Sequence, residues 1–244
     1  MQKKKIKSNQ LFNNVSVILA GAGPGNIKYL TINVYYAIKE ADVIIYDGLV
    51  GKKIVELAKK DCELILASKS SENKVCTQEE IINWMIKFSK EKKKVLRLKG
   101  GDPSIFGRGA EEIEALKKNK ISFKIFSGIT ASQGAINIIK NNFVNFRGNF
   151  CFITGHRAIN SSNPTIDFSA ISKFNGKIII YMGLSRLSYI AENLIKFGRN
   201  KKKKVHLVKD ISLSTQRTLT TNLDECVKSK NNFNLKPPVI IIIH

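Results

Sequence analysis

The sequence predicts an α/β fold, and three observations predict it. Short apolar runs recur along the chain, each closing on Gly, Asp or another small polar residue. Most are followed by apolar positions at helical spacing, the alternation of a sheet whose ligands sit at the carboxyl ends of its strands. An elbow of small residues, Ser127-Gly128-Ile129-Thr130-Ala131-Ser132, then divides the chain into two such halves. We therefore expect a disordered basic tail over residues 1–14, an N-terminal α/β domain over 15–127 and a C-terminal α/β domain over 128–244.

In the first half, Val15 to Ala20 is an apolar strand running into Gly21-Ala22-Gly23-Pro24-Gly25, and Leu30, Val34, Ala37, Ile38 and Ala41 mark the helix behind it. Val43 to Tyr46 is a second strand ending at Asp47, with a helical stretch from Lys52 to Lys59. Glu63 to Ala67 is a third, ending at Ser68-Lys69. Thr77-Gln78-Glu79-Glu80 is a capping box, and Ile81, Ile82, Met85, Ile86 and Phe88 give the helix it starts a buried face. Val95 to Lys99 is the fourth strand; the helix after it, from Gly109 to Lys118, carries Glu111 and Glu112 in its first turn, the charge that end favours. Ser122 to Phe126 is the fifth strand, and the elbow after it opens another helix. In the second half, strands are expected over Asn149 to Thr154, Lys177 to Tyr181, Val205 to Val208, Gln216 to Thr221 and Pro238 to Ile243, with a helix from Ser185 to Phe197. Asn163-Pro164 and Lys201 to Lys204 read as loops.

The stretch Arg97-Leu98-Lys99-Gly100-Gly101-Asp102-Pro103-Ser104-Ile105-Phe106-Gly107-Arg108-Gly109 is the most informative: a strand enters a glycine-rich turn and a Pro loop before a helix. Glycines at such a place let backbone approach a ligand without a Cβ in the way. The opening glycines, with Asp47 about 20 residues on, resemble a dinucleotide fingerprint. The spacing G-x-G-x-G and the missing N–H of Pro24 disfavour a nicotinamide enzyme.

Lys and Arg number 41 against 19 Asp and Glu, a net charge of +22. Such a balance suits a polyanionic partner. Lys, Asn and Ile are all abundant, so an AT-rich genome is an equal explanation, and no aromatic-basic interleaving marks an RNA-binding surface. No apolar run approaches the roughly 18 residues of a membrane span. Cys62, Cys76, Cys151 and Cys226 lack metal or redox spacing, which points to free thiols in a reducing cytoplasm and to no bound metal.

Taken in order, these motifs resemble the uroporphyrinogen-III C-methyltransferases of the tetrapyrrole methylase group, from Val15 to Ile243. Arg97 to Asp102 with Ile105 to Gly109 carries the resemblance most specifically; Gly21 to Gly25, Tyr46-Asp47, Gln78 to Glu80, Gly128 to Ala131, Thr154-Gly155-His156, Tyr181-Met182-Gly183 and Gln216-Arg217 support it. The resemblance implies two α/β domains of the tetrapyrrole methylase type with the active cleft between them, a homodimer, and methyl transfer from S-adenosylmethionine to two ring carbons of uroporphyrinogen III. The product is precorrin-2, for siroheme or cobalamin. It places the methyl donor against Pro24, Gly100, Gly101, Asp102, Ile105, Thr130, Ala131, Met182 and the backbone of Ile211, with Asp47 as proton acceptor and Lys69 as proton donor.

The substrate is a polycarboxylate, so Lys69, Lys99, Arg108 and Arg217 are candidate partners for it; Arg108 bonded to loop carbonyls and His156 as a strand-end hydrogen-bonder are the structural alternatives. The sequence departs from the family at Gly48, Ser70 and Ile211, where an arginine, an arginine and a glycine are usual. The competing readings are another precorrin C-methyltransferase, of the precorrin-4 C11 type, which Gly48 and Ser104 favour, and an RNA-binding methyltransferase.

Overall fold

The structure, a computed structural model, describes residues 10–67, 76–139, 148–155 and 166–244. The chain forms two compact units, Met1–Thr130 and Ala131–His244.

In the first unit, β1 (Val17–Gly21), β2 (Val43–Asp47), β3 (Glu63–Ala67), β4 (Val95–Lys99) and β5 (Phe123–Phe126) make a wholly parallel sheet of order β3-β2-β4-β1-β5. Parallel sheets are covered on both faces, which is why β1 and β4 are buried along their whole length. Ile18, Ala20, Ile44, Leu96 and Leu98 pack on one face against Val34, Ala37 and Ile38 of α1 (Ile32–Glu40) and Ile54 of α2 (Lys52–Val55). Val17, Leu19, Val43, Ile45 and Val95 pack on the other against Ile81, Met85 and Phe88 of α3 (Gln78–Lys90) and Leu116 of α4 (Gly109–Lys118). The capping box at α3 forms: the Thr77 hydroxyl accepts from Glu80 N at 3.1 Å and the Glu80 carboxylate accepts from Thr77 N at 2.8 Å.

Three sequence expectations change here. Residues 10–14, assigned to a disordered tail, belong to the fold: Phe12 is buried in the α1 face of the sheet, and Lys124 Nζ donates to Leu11 O at 3.0 Å. The helix marked by Leu30 to Ala41 starts only at Ile32, after a 3-10 turn, Ile27–Tyr29. The stretch from Lys52 to Lys59 is helical only to Val55 and continues as turns.

In the second unit, α5 (Ala131–Ile138) precedes β6 (Asn149–Thr154), α6 (Phe168–Lys173), β7 (Gly176–Tyr181), α7 (Leu187–Lys196), β8 (Lys204–Lys209), β9 (Arg217–Asn222), α8 (Cys226–Asn232) and β10 (Val239–Ile243). The sheet order is β6-β7-β10-β8-β9; β6 and β7 run parallel, while β10 runs antiparallel to β7 and β8, and β9 to β8. Ile178, Ile180, Leu207, Ile241 and Ile243 pack with Leu187, Ile190 and Leu194 of α7. Helices α6 and α8 had no sequence signal: one is six residues long and capped by Asp167, the other is rich in Lys and Asn. Among the described residues no helix is long and apolar enough to cross a membrane. All four cysteines are free; burial pushes the Cys62 and Cys226 thiols up to about 11, which keeps them inert.

Candidate active site

In the first unit the loops after β1, β2, β4 and β5 meet backbone to backbone at the carboxyl edge of the sheet. Gly23 and Gly101 exchange hydrogen bonds, Gly101 N to Gly23 O at 2.8 Å and Gly23 N to Gly101 O at 3.1 Å. Gly101 does so at φ +70, which a side chain disfavours. A Cβ on Gly128 would stand 2.2 Å from Gly101 O and 2.6 Å from Gly21 C. These loops therefore need glycine first to reach one another.

Asp102 fastens the same rim. One carboxylate oxygen accepts from Ser104 N at 2.8 Å and from the Ser104 hydroxyl, and the other accepts from Gly128 N at 2.9 Å. The Asp102 side chain thus ties the β4 loop to the β5 loop, and what this rim offers a ligand is backbone with the half-buried Pro24, Ile105 and Thr130.

Below the rim lies a charged cluster. Arg97 and Lys99 alternate along β4 on the face that α3 and α4 cover, both 2% exposed, and Glu112 in the first turn of α4 is fully buried beside them. Glu112 Oε1 accepts from Arg97 Nε at 3.0 Å, Lys99 Nζ at 2.8 Å and Gln78 Nε2 at 3.1 Å. The far nitrogens of Arg97 reach the carbonyls of Ile45 and Leu98 and the carboxylate of Asp47. Asp47, at the end of β2 and 29% exposed, carries the cluster to the surface. Burial, with the Arg97 charge beside it, pulls the Lys99 ammonium below its ordinary value.

Two sequence expectations are corrected by this geometry. Lys99 does not present its charge to a ligand, because its ammonium is buried and bonded to Glu112. Arg108 is not bonded to loop carbonyls; it is exposed and makes a two-pronged pair with Glu111, at 2.9 and 2.7 Å. Lys69 and His156 lie outside the described residues. The roles of Glu112 and Gln78 were missed, although a signal was present. Two cations at alternate positions of an otherwise apolar central strand require a carboxylate from the helix above them.

In the second unit, Met182 follows β7, Ile211 follows β8 and Arg217 begins β9; since β10 is antiparallel to β7 and β8, all three lie at one edge of that sheet. The start of α5, with Ala131, is held to the same edge by Ser132 N, which donates to the Tyr181 hydroxyl at 3.2 Å. Ile211 is buried, Met182 is half-exposed and Arg217 is exposed with its guanidinium 5.7 Å from the centre of the Phe233 ring.

Strain marks these loops in both units. Lys92, Lys120 and Asn234 have positive φ just past the ends of α3, α4 and α8, an ordinary helix-terminating position. Phe106, Arg108, Met182, Asp210 and Ser212 have positive φ in loops that follow strands. Left-handed backbone at residues other than glycine costs of order 1 kcal/mol each and concentrates where ligands are held.

Comparison with known proteins agrees with the motifs. A model of the tetrapyrrole (corrin/porphyrin) methylases matches residues 16–227. The uroporphyrinogen-III C-methyltransferase of Priestia megaterium is 38% identical over 93% of this chain and 96% of its own. A siroheme synthase of Thiobacillus denitrificans is 37% identical over 93% of this chain, which spans about half of that longer protein, 47%. Among solved structures, the uroporphyrin-III C-methyltransferase of Thermus thermophilus complexed with S-adenosyl homocysteine superposes with a TM-score of 0.78 at 27% identity, covering 93% of this chain and 96% of that one.

Proposed function

This chain belongs to the tetrapyrrole methylase family, and on that premise we propose that it transfers methyl groups from S-adenosylmethionine to two ring carbons of uroporphyrinogen III, giving precorrin-2. The observation that carries the reading is the match to a uroporphyrinogen-III C-methyltransferase along nearly the whole of both chains. The siroheme synthase relatives support siroheme as a destination of the product, with cobalamin the other. A cytoplasmic homodimer completes the reading.

The residues present fit the methyl donor. In the first unit, Gly100, Gly101, Asp102, Pro24, Ile105 and Thr130 offer it backbone and small or apolar side chains; in the second, Ala131, Met182 and the backbone of Ile211 do the same. When bound, the donor supplies a sulfonium methyl that is electrophilic. The protein's task is then to hold the pyrrole carbon in line with that methyl, where positioning supplies much of the rate. The ring carbon that takes the methyl carries no hydrogen, so the cationic pyrrole sheds its proton from another atom of the tetrapyrrole, and Asp47 accepts it, with its carboxylate oriented by Arg97. Lys69 is the proton donor of this scheme. Arg108, by exchanging Glu111 for a substrate carboxylate, and Arg217 orient the polyanion.

Anaerobic incubation with uroporphyrinogen III and methyl-labelled S-adenosylmethionine, followed by mass analysis of the tetrapyrrole, tests the reading. A gain of two methyl groups supports it. No gain from a protein that binds S-adenosylhomocysteine would reassign it to another tetrapyrrole.

A further inference from the structure

We propose that Glu112 is a positioning residue for Asp47, acting through the Arg97 guanidinium from the interior of the first unit. The inference rests on the reading of Asp47 as proton acceptor and deepens it.

The Arg97 guanidinium has a fixed shape. It is a planar fork, so fixing one edge fixes the direction of the other nitrogens. Glu112 holds Nε at 3.0 Å, the Ile45 and Leu98 carbonyls hold one terminal nitrogen at 3.4 Å each, and the remaining nitrogen is aimed at Asp47. Glu112 itself cannot drift, since Lys99 and Gln78 also donate to its Oε1. The direction in which Arg97 presents a proton to Asp47 is thus set from the fourth residue of α4.

Charge gives the arrangement a second effect. Arg97 and Lys99 face Glu112 and Asp47, two cations against two carboxylates, and all but the partly exposed Asp47 are dry, where mutual influence is strong. The carboxylates compete for one guanidinium, and Glu112 takes part of its field. Without Glu112, the Arg97 charge would act on Asp47 alone and make it a weaker base. Cys76 faces Arg97, Arg108 faces Glu112 and Glu111 faces Lys99 at longer range, and none of them bonds to the four. A purely structural counter-ion would stabilise the unit and leave the Asp47 titration where it is.

The test is carboxyl-carbon NMR on the full chain with labelled aspartate, the Asp47 signal being assigned by its loss in Asp47→Asn. It is paired with the pH profile of kcat and with S-adenosylhomocysteine binding. Glu112→Gln should lower the Asp47 midpoint by about one pH unit or more, move the acidic limb of kcat the same way and reduce the plateau. Lys99→Met should move the midpoint up. An unmoved midpoint in a Glu112→Gln protein that still folds and binds S-adenosylhomocysteine overturns the proposal. Should Glu112→Gln alone fail to fold, the comparison passes to Lys99→Met with and without Glu112→Gln, where the added change must still lower the midpoint. If the variants shift the Asp47 midpoint in this way while the wild-type protein methylates no uroporphyrinogen III, the proposed reaction is overturned and the positioning stands.

Discussion

The central strands of the two sheets bury opposite chemistries. In the first unit β4 carries Arg97 and Lys99 into the interior, each matched by the carboxylate of Glu112. In the second, β10 is Val239-Ile240-Ile241-Ile242-Ile243, buried throughout and apolar throughout. Burying a cation costs several kcal/mol unless its partners are well placed, whereas an isoleucine stabilises by about 2 kcal/mol on burial alone. A chain that needed only stability would use the second solution twice. The first unit keeps its charges where they lead outward to Asp47, which places the cost at the carboxylate proposed as proton acceptor.

The largest effect is expected at the rim above the charged cluster. Gly128→Val should cost about 4 kcal/mol or more, because the new side chain collides with the Gly101 carbonyl and the Gly21 backbone, neither of which can rotate away. Chemical denaturation followed by hydrogen exchange would show the loss in the first unit with the second unit protected. Equal loss in both would break the contrast, since it would mean that the rim holds the whole molecule. In the apolar unit, Ile180→Ala removes a fully buried side chain from the cluster around α7 and should cost about 2–5 kcal/mol. S-adenosylhomocysteine affinity measured below the unfolding transition should hardly change, because this variant alters packing alone.

The sequence made the strands and their loops legible, and the reason is local. Val95 to Lys99 with Gly100-Gly101 reads as strand and turn because the apolar run and the glycines are consecutive, and the Thr77 to Glu80 cap reads as a helix start because its partners are three residues apart. What stayed hidden depends on separation along the chain. Glu112 was read as a favourable charge at a helix start, and its bonds to Arg97 and Gln78 span 15 and 34 residues. Lys99 reads as a ligand-facing cation because a single sequence does not say which face of β4 is covered. Phe12 fell in an expected tail because a lone aromatic in a polar stretch carries no periodicity.

Acid offers a sharper cut between the units, through the one dry polar device the second sheet holds among its described central strands. His206 on β8 is 2% exposed; its Nδ1 meets the Thr220 hydroxyl at 2.9 Å and its Nε2 meets His244 Nε2 at 2.8 Å. Burial, then the neighbouring His244 and Lys204, lower it to about 4, and burial with Lys177, Lys204 and Lys203 lowers His244 as well. An unfolded His206 takes up its proton near pH 6.5, while the folded one refuses it until about 4. Stability is therefore whole above pH 6.5 and falls as the pH drops towards 4, by up to about 3 kcal/mol. Thermal unfolding across that window, repeated on His206→Gln, checks it: the variant should be less stable at neutral pH and flatter in acid. A wild-type curve with no slope between those limits would remove the histidine pair as a weak point of the apolar unit.

The smallest effect on stability separates structure from function at one residue. Arg108 and Glu111 form an exposed pair three residues apart at the start of α4, and such pairs contribute about 0.5 kcal/mol or less. Arg108→Ala should therefore leave the denaturation midpoint nearly unchanged. It removes a cation from a strained loop position, φ +55, next to the glycine rim, and if substrate carboxylates displace Glu111 there, KM for the tetrapyrrole should rise severalfold while S-adenosylhomocysteine affinity holds. Glu111→Gln sharpens the reading: it frees the guanidinium, so KM should fall or stay level. A KM that ignores both changes would return Arg108 to the helix start as a surface ion pair, and the charge that matters in the first unit would then be the buried cluster alone.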